Sequence, residues 1–198
     1  MPEPRPKRAD AVKNRGRILD AANRQIIVRG PEVPMEVIAA DAGVAVGTLY
    51  RHFPTKNELV AAVLDEHFRG MIEGAEAAVA HVEAGADPYG ELTAFARMVM
   101  ETAASNHAVK AAARALGAYD EKEEDRERGL RAMNRLLEAG KATGDLRSDL
   151  TVDDFFLFFM TVPIEQPAPV RDRWFELMMD GFCATGARGN TAAPPFRK

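Results

Sequence analysis

Between residues 43 and 56 the chain gathers hydrogen-bonding side chains on one short segment: Thr48, Tyr50, Arg51 and His52, followed by Lys56. Hydroxyls, a guanidinium, an imidazole and an ammonium suit phosphate oxygens and base edges better than bond-breaking chemistry. Val46 and Gly47 lead the run and are small, which leaves room for close approach to a duplex. Elsewhere the groups that do chemistry are poorly placed. The histidines, at positions 52, 67, 81 and 107, lack the HExxH spacing of a zinc protease, and no glycine-rich phosphate loop follows a strand. Ser105 and Ser148 have no nucleophile-elbow context. Asp65, Glu66 and His67 are adjacent on one helix and so diverge, a poor metal site. Cys183 is the single cysteine, which excludes an internal disulfide and offers no Cys/His zinc cluster. We therefore expect no catalytic residue, metal or cofactor, and no enzyme.

The segment needs elements to hold it, and nearly every stretch reads as helix. Residues 1–10 are expected to be a flexible basic arm, with Arg5, Lys7 and Arg8 serving either as a groove or phosphate clamp or as a solvated tail. A first helix is expected from Asp10 to Arg29 on the stripe Ile18, Ala21, Ala22, Ile26, ended by Gly30-Pro31. A short helix from Pro34 to Asp41 follows, then a turn at Gly43, then a second short helix from Val46 to His52. Two short helices crossing steeply need a small residue at the contact, supplied by Ala39, and a positive φ at the reversal, supplied by Gly43. Ile38, Val44 and Leu49 fall where inward anchors belong, which leaves Val46, Gly47, Thr48, Tyr50, Arg51 and His52 outside. Phe53 reads as core; Tyr50 reads as a contact, with a core role as the alternative. Thr55 and Glu58 form a capping-box pattern for a long helix from Lys56 to Val82. Further helices are expected at 89–105, 107–118, 120–142, 151–162 and 168–184, about nine in all, with a loose tail over 186–198.

On these residues a resemblance stands out. Gly43-Val-Ala-Val-Gly-Thr-Leu-Tyr-Arg-His-Phe-Pro-Thr-Lys-Asn-Glu-Leu59, with Arg17-Ile-Leu-Asp-Ala-Ala22 upstream, resembles the DNA-binding signature of the TetR family of regulators. The specific part covers about residues 15–62. The resemblance implies an all-α protein with a three-helix DNA-binding head over 11–56 and a helical ligand-binding and dimerisation body over 57–185. It implies phosphate contacts from Thr48, Tyr50 and Lys56, a backbone or base contact from His52, base-facing Val46 and Gly47, and further DNA contacts from Arg17, Met35 and Arg51. Two positions depart from the family habit. Ala45 stands where a capping Ser is common, and Pro34-Met35 opens the helix where Thr is common. The missing cap costs about 0.5–2 kcal/mol unless another group replaces it.

Composition agrees with a soluble globular chain, at 46% hydrophobic and 28% charged residues. The net charge of −4 is unevenly spread: residues 1–56 carry ten Lys/Arg against six Asp/Glu, and the rest sixteen against twenty-four. That is a basic head on an acidic body, or chance segregation of surface charge. The N-terminus lacks the apolar stretch of a signal peptide and no run reaches the ~20 residues of a membrane span, so a cytoplasmic location is expected. In the body, Phe155-Phe-Leu-Phe-Phe-Met160 is apolar on every face and so should be buried all round. By resemblance, the last two helices pair with their copies; Phe155, Phe156, Phe158, Trp174, Met178 and Phe182 are the candidates for a homodimer interface, against a monomeric core. Met98, His107, Met133, Phe159 and Trp174 could line a pocket for a small, largely apolar effector, or be plain core and surface. The function expected is a regulator on a palindromic double-stranded operator, a repressor released by its effector. The competing reading is a ligand-binding or protein-interaction module that retains the head.

Overall fold

The computed structural model describes residues 6–117 and 123–184; the side chains of 6–9, 105 and 106 are not described. Among the described residues there are eight helices: α1 Pro6–Arg29, α2 Met35–Ala42, α3 Val46–His52, α4 Lys56–Glu83, α5 Pro88–Leu116, α6 Glu123–Ala142, α7 Val152–Met160 and α8 Ala168–Phe182. The arm expected over 1–10 is helical from Pro6 on, and its remainder lies outside the described residues, as do the tail over 186–198 and residues 120–122 of the helix expected over 120–142. The two helices expected at 89–105 and 107–118 are one, α5, whose backbone stays helical through Ser105-Asn106. Polar residues there look like a break in sequence, but neither removes a backbone donor as proline would.

The chain divides into two compact units: Met1–Met71 with Glu101–Arg126, and Ile72–Met100 with Glu127–Lys198. In the first unit α1, α2 and α3 pack together. Ile18, Ala21, Ala22 and Ile26 on α1 are fully buried against Ile38 and Ala39 on α2, Leu49 on α3 and Leu59 and Val60 on α4. Each fully buried Leu or Ile contributes about 1.5–3 kcal/mol. Val109, Ala112 and Ala113 of α5 are part of the same core. The core of the head therefore extends past residues 11–56 and takes in the start of α4 and the end of α5.

The second unit is held by an aromatic cluster. Phe155, Phe158 and Phe175 are each exposed to 1% or less. Phe158 stacks on Trp174 at 4.9 Å and meets Phe182 edge-on at 5.8 Å. Thr151 and Asp154 complete a capping box that fixes the start of α7. Arg128 holds Glu76 through two hydrogen bonds of 3.1 and 2.8 Å, tying α6 to α4. Arg97 pairs with Asp172 at 3.1 Å and lies 4.4 Å over the Phe175 ring, tying α5 to α8. After α6 and α8 the chain pairs briefly, Leu146 against Cys183, antiparallel.

Candidate DNA interface

The geometry of the site starts at Gly43. It closes α2 in the left-handed region, φ 62° and ψ 40°, and its N–H meets the carbonyls of Ala39 and Ala40. Arg17 donates to the Gly43 carbonyl at 3.2 Å, and a Cβ at position 43 would collide with that guanidinium. Position 43 thus favours glycine for its φ, and a Cβ there would also displace the Arg17 guanidinium. Arg24 grips Asp41 at 3.1 Å and fastens α1 to the end of α2. Arg15 lies 5.5 Å over the ring of Phe53, which is buried at the end of α3. None of these three arginine contacts joins near neighbours in sequence, so no local pattern foretold them.

Within α3, Leu49 is fully buried and serves as the anchor. Val46 and Tyr50 are exposed to 38% and 40%, Gly47 and Arg51 are exposed, and Thr48 and His52 are half-buried. At about 100° per residue, Gly47 and Arg51 straddle the direction opposite Leu49 and form the outward crest of the helix. Nothing lies within 4 Å of a Cβ built at Gly47, so the crest is open there. The Ala45 N-cap makes no side-chain hydrogen bond, so the cap that serine would supply is missing. Arg51 folds back along its own helix: Nε donates to the Gly47 carbonyl at 3.2 Å and one terminal nitrogen to Thr48 Oγ at 2.9 Å.

Three expected contacts look different in the structure. Met35 is 6% exposed and packs in the head core, because it lies on the same i, i+3, i+4, i+7 stripe of α2 as the buried Ile38, Ala39 and Ala42. Its side chain is corrected from contact to core. Lys56 donates to the Val33 carbonyl at 2.5 Å, and partial burial pushes its pKa down while Glu32 opposes the shift. Its first task is to lock the loop before α2 onto the start of α4. Arg17 likewise spends one donor on the Gly43 turn. A role that sequence reasoning missed belongs to Asn57, whose amide donates to the Leu116 carbonyl at 3.2 Å and closes the end of α5 onto α4.

The body residues also sort differently. Phe155, Phe158 and Phe182 are buried inside the second unit and cannot face a partner, so they are corrected from interface to core. α7 is not buried all round: Phe156, Leu157 and Met160 are 49%, 63% and 69% exposed. On α8, Val170 and Leu177 are exposed, and Trp174 and Met178 are half-buried on the same side. Of the pocket candidates, Met133 is core, Phe159 packs among Phe95, Phe155 and Phe158, and Met98 sits where a Cβ on Gly74 would strike its methyl group. His107 is exposed and belongs to the first unit, apart from the other four in the division of the chain. No described helix is long and apolar enough to cross a membrane.

Two short helices hinged on a left-handed glycine, the second anchored by one leucine and otherwise presented to solvent, define a helix-turn-helix regulator. Residues 18–63 match the model of the bacterial regulatory proteins of the tetR family, and residues 87–184 match the C-terminal domain of SbtR-like transcriptional regulators. A TetR transcription regulatory protein of Mycobacterium vanbaalenii is 30% identical with a TM-score of 0.71, over 90% of this chain and 100% of that one. A TetR regulator of Streptomyces coelicolor is 28% identical with a TM-score of 0.69, over 87% and 99%. A γ-butyrolactone receptor shares the fold at 20% identity and a TM-score of 0.64, over 90% of this chain and 92% of its own. Among curated relatives, an HTH-type regulator of Staphylococcus aureus is 38% identical over 66 residues, 33% of this chain and 36% of its own. The activator FasR of Mycolicibacterium smegmatis is 38% identical over 68 residues, 34% and 31%. The chain thus spans about a third of the length of these curated relatives. It belongs to the TetR family of transcriptional regulators.

Proposed function

We propose that the protein is a cytoplasmic homodimeric repressor that sets α3 of each subunit into a major groove of a palindromic operator. The exposed crest of α3 on a rigid, tied-down head is the observation that carries this reading. Thr48, Tyr50, Arg51 and His52 supply donors to phosphate or base, and Val46 and Gly47 allow the backbone close. Half-sites lie about one helical turn, roughly 34–36 Å, apart. The second copy docks on the apolar face of Phe156, Leu157, Met160, Val170 and Leu177, with Trp174 and Met178 at its edge. A long exposed apolar stripe on two adjacent helices costs solubility in a monomer and favours association. The domain plan we assign is a head around α1–α3 followed by a helical body for effector and partner.

The effector is a small, largely apolar molecule, in keeping with the phenyl, indole and thioether groups of the second unit. Proteins of this fold include the γ-butyrolactone receptor noted above. An effector that binds one spacing of the two heads better than another shifts the dimer off DNA by that difference in affinity. The test is fluorescence anisotropy with an operator duplex. Tyr50→Ala should weaken binding at unchanged thermal unfolding midpoint. Equal affinity of Tyr50→Ala, Thr48→Ala and wild type would remove the contact assignment. Sedimentation of the wild type as a monomer at micromolar concentration would remove the dimer.

A further inference from the structure

Arg51 carries an inference that deepens this reading and rests on it. It is the one long side chain on the outward crest of α3, and its neighbour on that crest, Gly47, has no side chain to compete with it. Two hydrogen bonds hold it against the helix, Nε to the Gly47 carbonyl at 3.2 Å and NH2 to Thr48 Oγ at 2.9 Å. Both use the same edge of the planar guanidinium, the edge shared by Nε and NH2. A guanidinium anchored along that edge keeps its other fork, the one between NH1 and NH2, for a second acceptor pair. That fork matches two acceptors side by side on a base, and in the major groove only guanine offers them, as O6 and N7. Holding the side chain beforehand also reduces the rotamer freedom lost on binding. The same bond leaves Thr48 Oγ as an acceptor toward Arg51, so its own proton is free to donate to a phosphate.

We propose that Arg51 is the principal specificity-determining residue of the recognition helix and reads one guanine in each half-site through its terminal fork. Val46 and Gly47 have no side-chain donors or acceptors, so they cannot perform this discrimination. Lysine at position 51 would keep the charge but lose the fork.

Binding sites are selected from a randomised duplex pool with the full-length wild type, and affinities are then measured on variants of the selected site. Replacing the guanine by adenine should weaken the wild type about 5- to 150-fold per half-site. Replacing it by 7-deazaguanine, which removes only the N7 acceptor, should weaken the wild type too. Arg51→Ala should bind the guanine, adenine and 7-deazaguanine sites with nearly equal affinity, and Arg51→Lys, a point charge without the fork, should discriminate less than the wild type. Arg51 is exposed, so both variants should unfold with the wild type. If Arg51→Ala loses affinity for every duplex alike and keeps the guanine preference, Arg51 is a phosphate contact and the proposal is overturned. If the wild type selects no sequence at all, the groove-reading role of α3 fails, and the assignment of Arg51 falls with it.

Discussion

Replacing Gly43 by alanine tests the hinge on which α3 is mounted. The backbone there has φ 62° and ψ 40°, where an L residue with a Cβ costs about 1–2 kcal/mol. The new Cβ would also meet the Arg17 guanidinium, which is the far end of a flexible chain and can swing away. Its swing forfeits the bond to the Gly43 carbonyl, at about 0.5–1.5 kcal/mol and toward the low end because the group is exposed. Against these stands the lower freedom of the unfolded alanine chain, about 0.4–1 kcal/mol. The net loss is about 1–2 kcal/mol, a fall in Tm of roughly 2–8 °C for a chain of this size. Asparagine tolerates the left-handed region yet brings the same Cβ. Gly43→Asn should therefore lose less than Gly43→Ala, and Arg17→Ala should lose the least. Chemical denaturation of the three variants decides the matter. A Gly43→Ala protein as stable as wild type would refute the argument from φ. Equal losses for Asn and Ala would show that contact with Arg17, not backbone conformation, governs the site.

Phe158→Ala empties the centre of the aromatic cluster and should cost about 3–5 kcal/mol, read by denaturant titration; a loss under 1 kcal/mol would mean the cluster repacks around the gap. Thr151→Ala removes the reciprocal cap of α7 and should cost about 0.5–2 kcal/mol, with hydrogen exchange quickening in the first turn of that helix. His67 has a pKa pushed below its ordinary 6.5 by burial, with Glu66 opposing, and its Nδ1 has no partner. The folded state thus holds the neutral ring, so its contribution is intact above pH 6.5 and is lost as pH falls through the lowered value. His67→Gln should flatten the decline of Tm on acidification from pH 7; an identical decline in both proteins would assign the effect to other groups.

The parts legible in the sequence are those with short-range causes. Gly43 announced its turn because only glycine enters that region freely, and Leu49 and Ile38 announced the core by helical spacing. Thr151 with Asp154 announced the start of α7. The parts that were not legible depend on partners far along the chain. Arg17, Lys56 and Asn57 each donate to a backbone carbonyl 23 to 59 residues away, and a carbonyl leaves no trace in residue type. Met35 was legible by its spacing from Ile38, Ala39 and Ala42, but the expected contact at the helix start outweighed that stripe. In α7 every residue from Phe155 to Met160 is apolar, so no periodicity separates the buried Phe155 and Phe158 from the exposed Phe156 and Leu157. The Ser105-Asn106 pair looked like a boundary because such residues prefer turns, a weak local preference, yet α5 runs unbroken through them.

The central claim is that the head grips the phosphate backbone of duplex DNA. Each neutralised phosphate releases counterions, so log K falls with log salt at about 0.9 per contact. The decisive measurement is operator affinity of the full-length protein between roughly 50 and 200 mM salt, the interval over which multi-contact binders weaken by orders of magnitude. Arg17 and Lys56 of two heads, neutralising one phosphate each, predict a slope of about −3.6. A slope near zero would contradict the account.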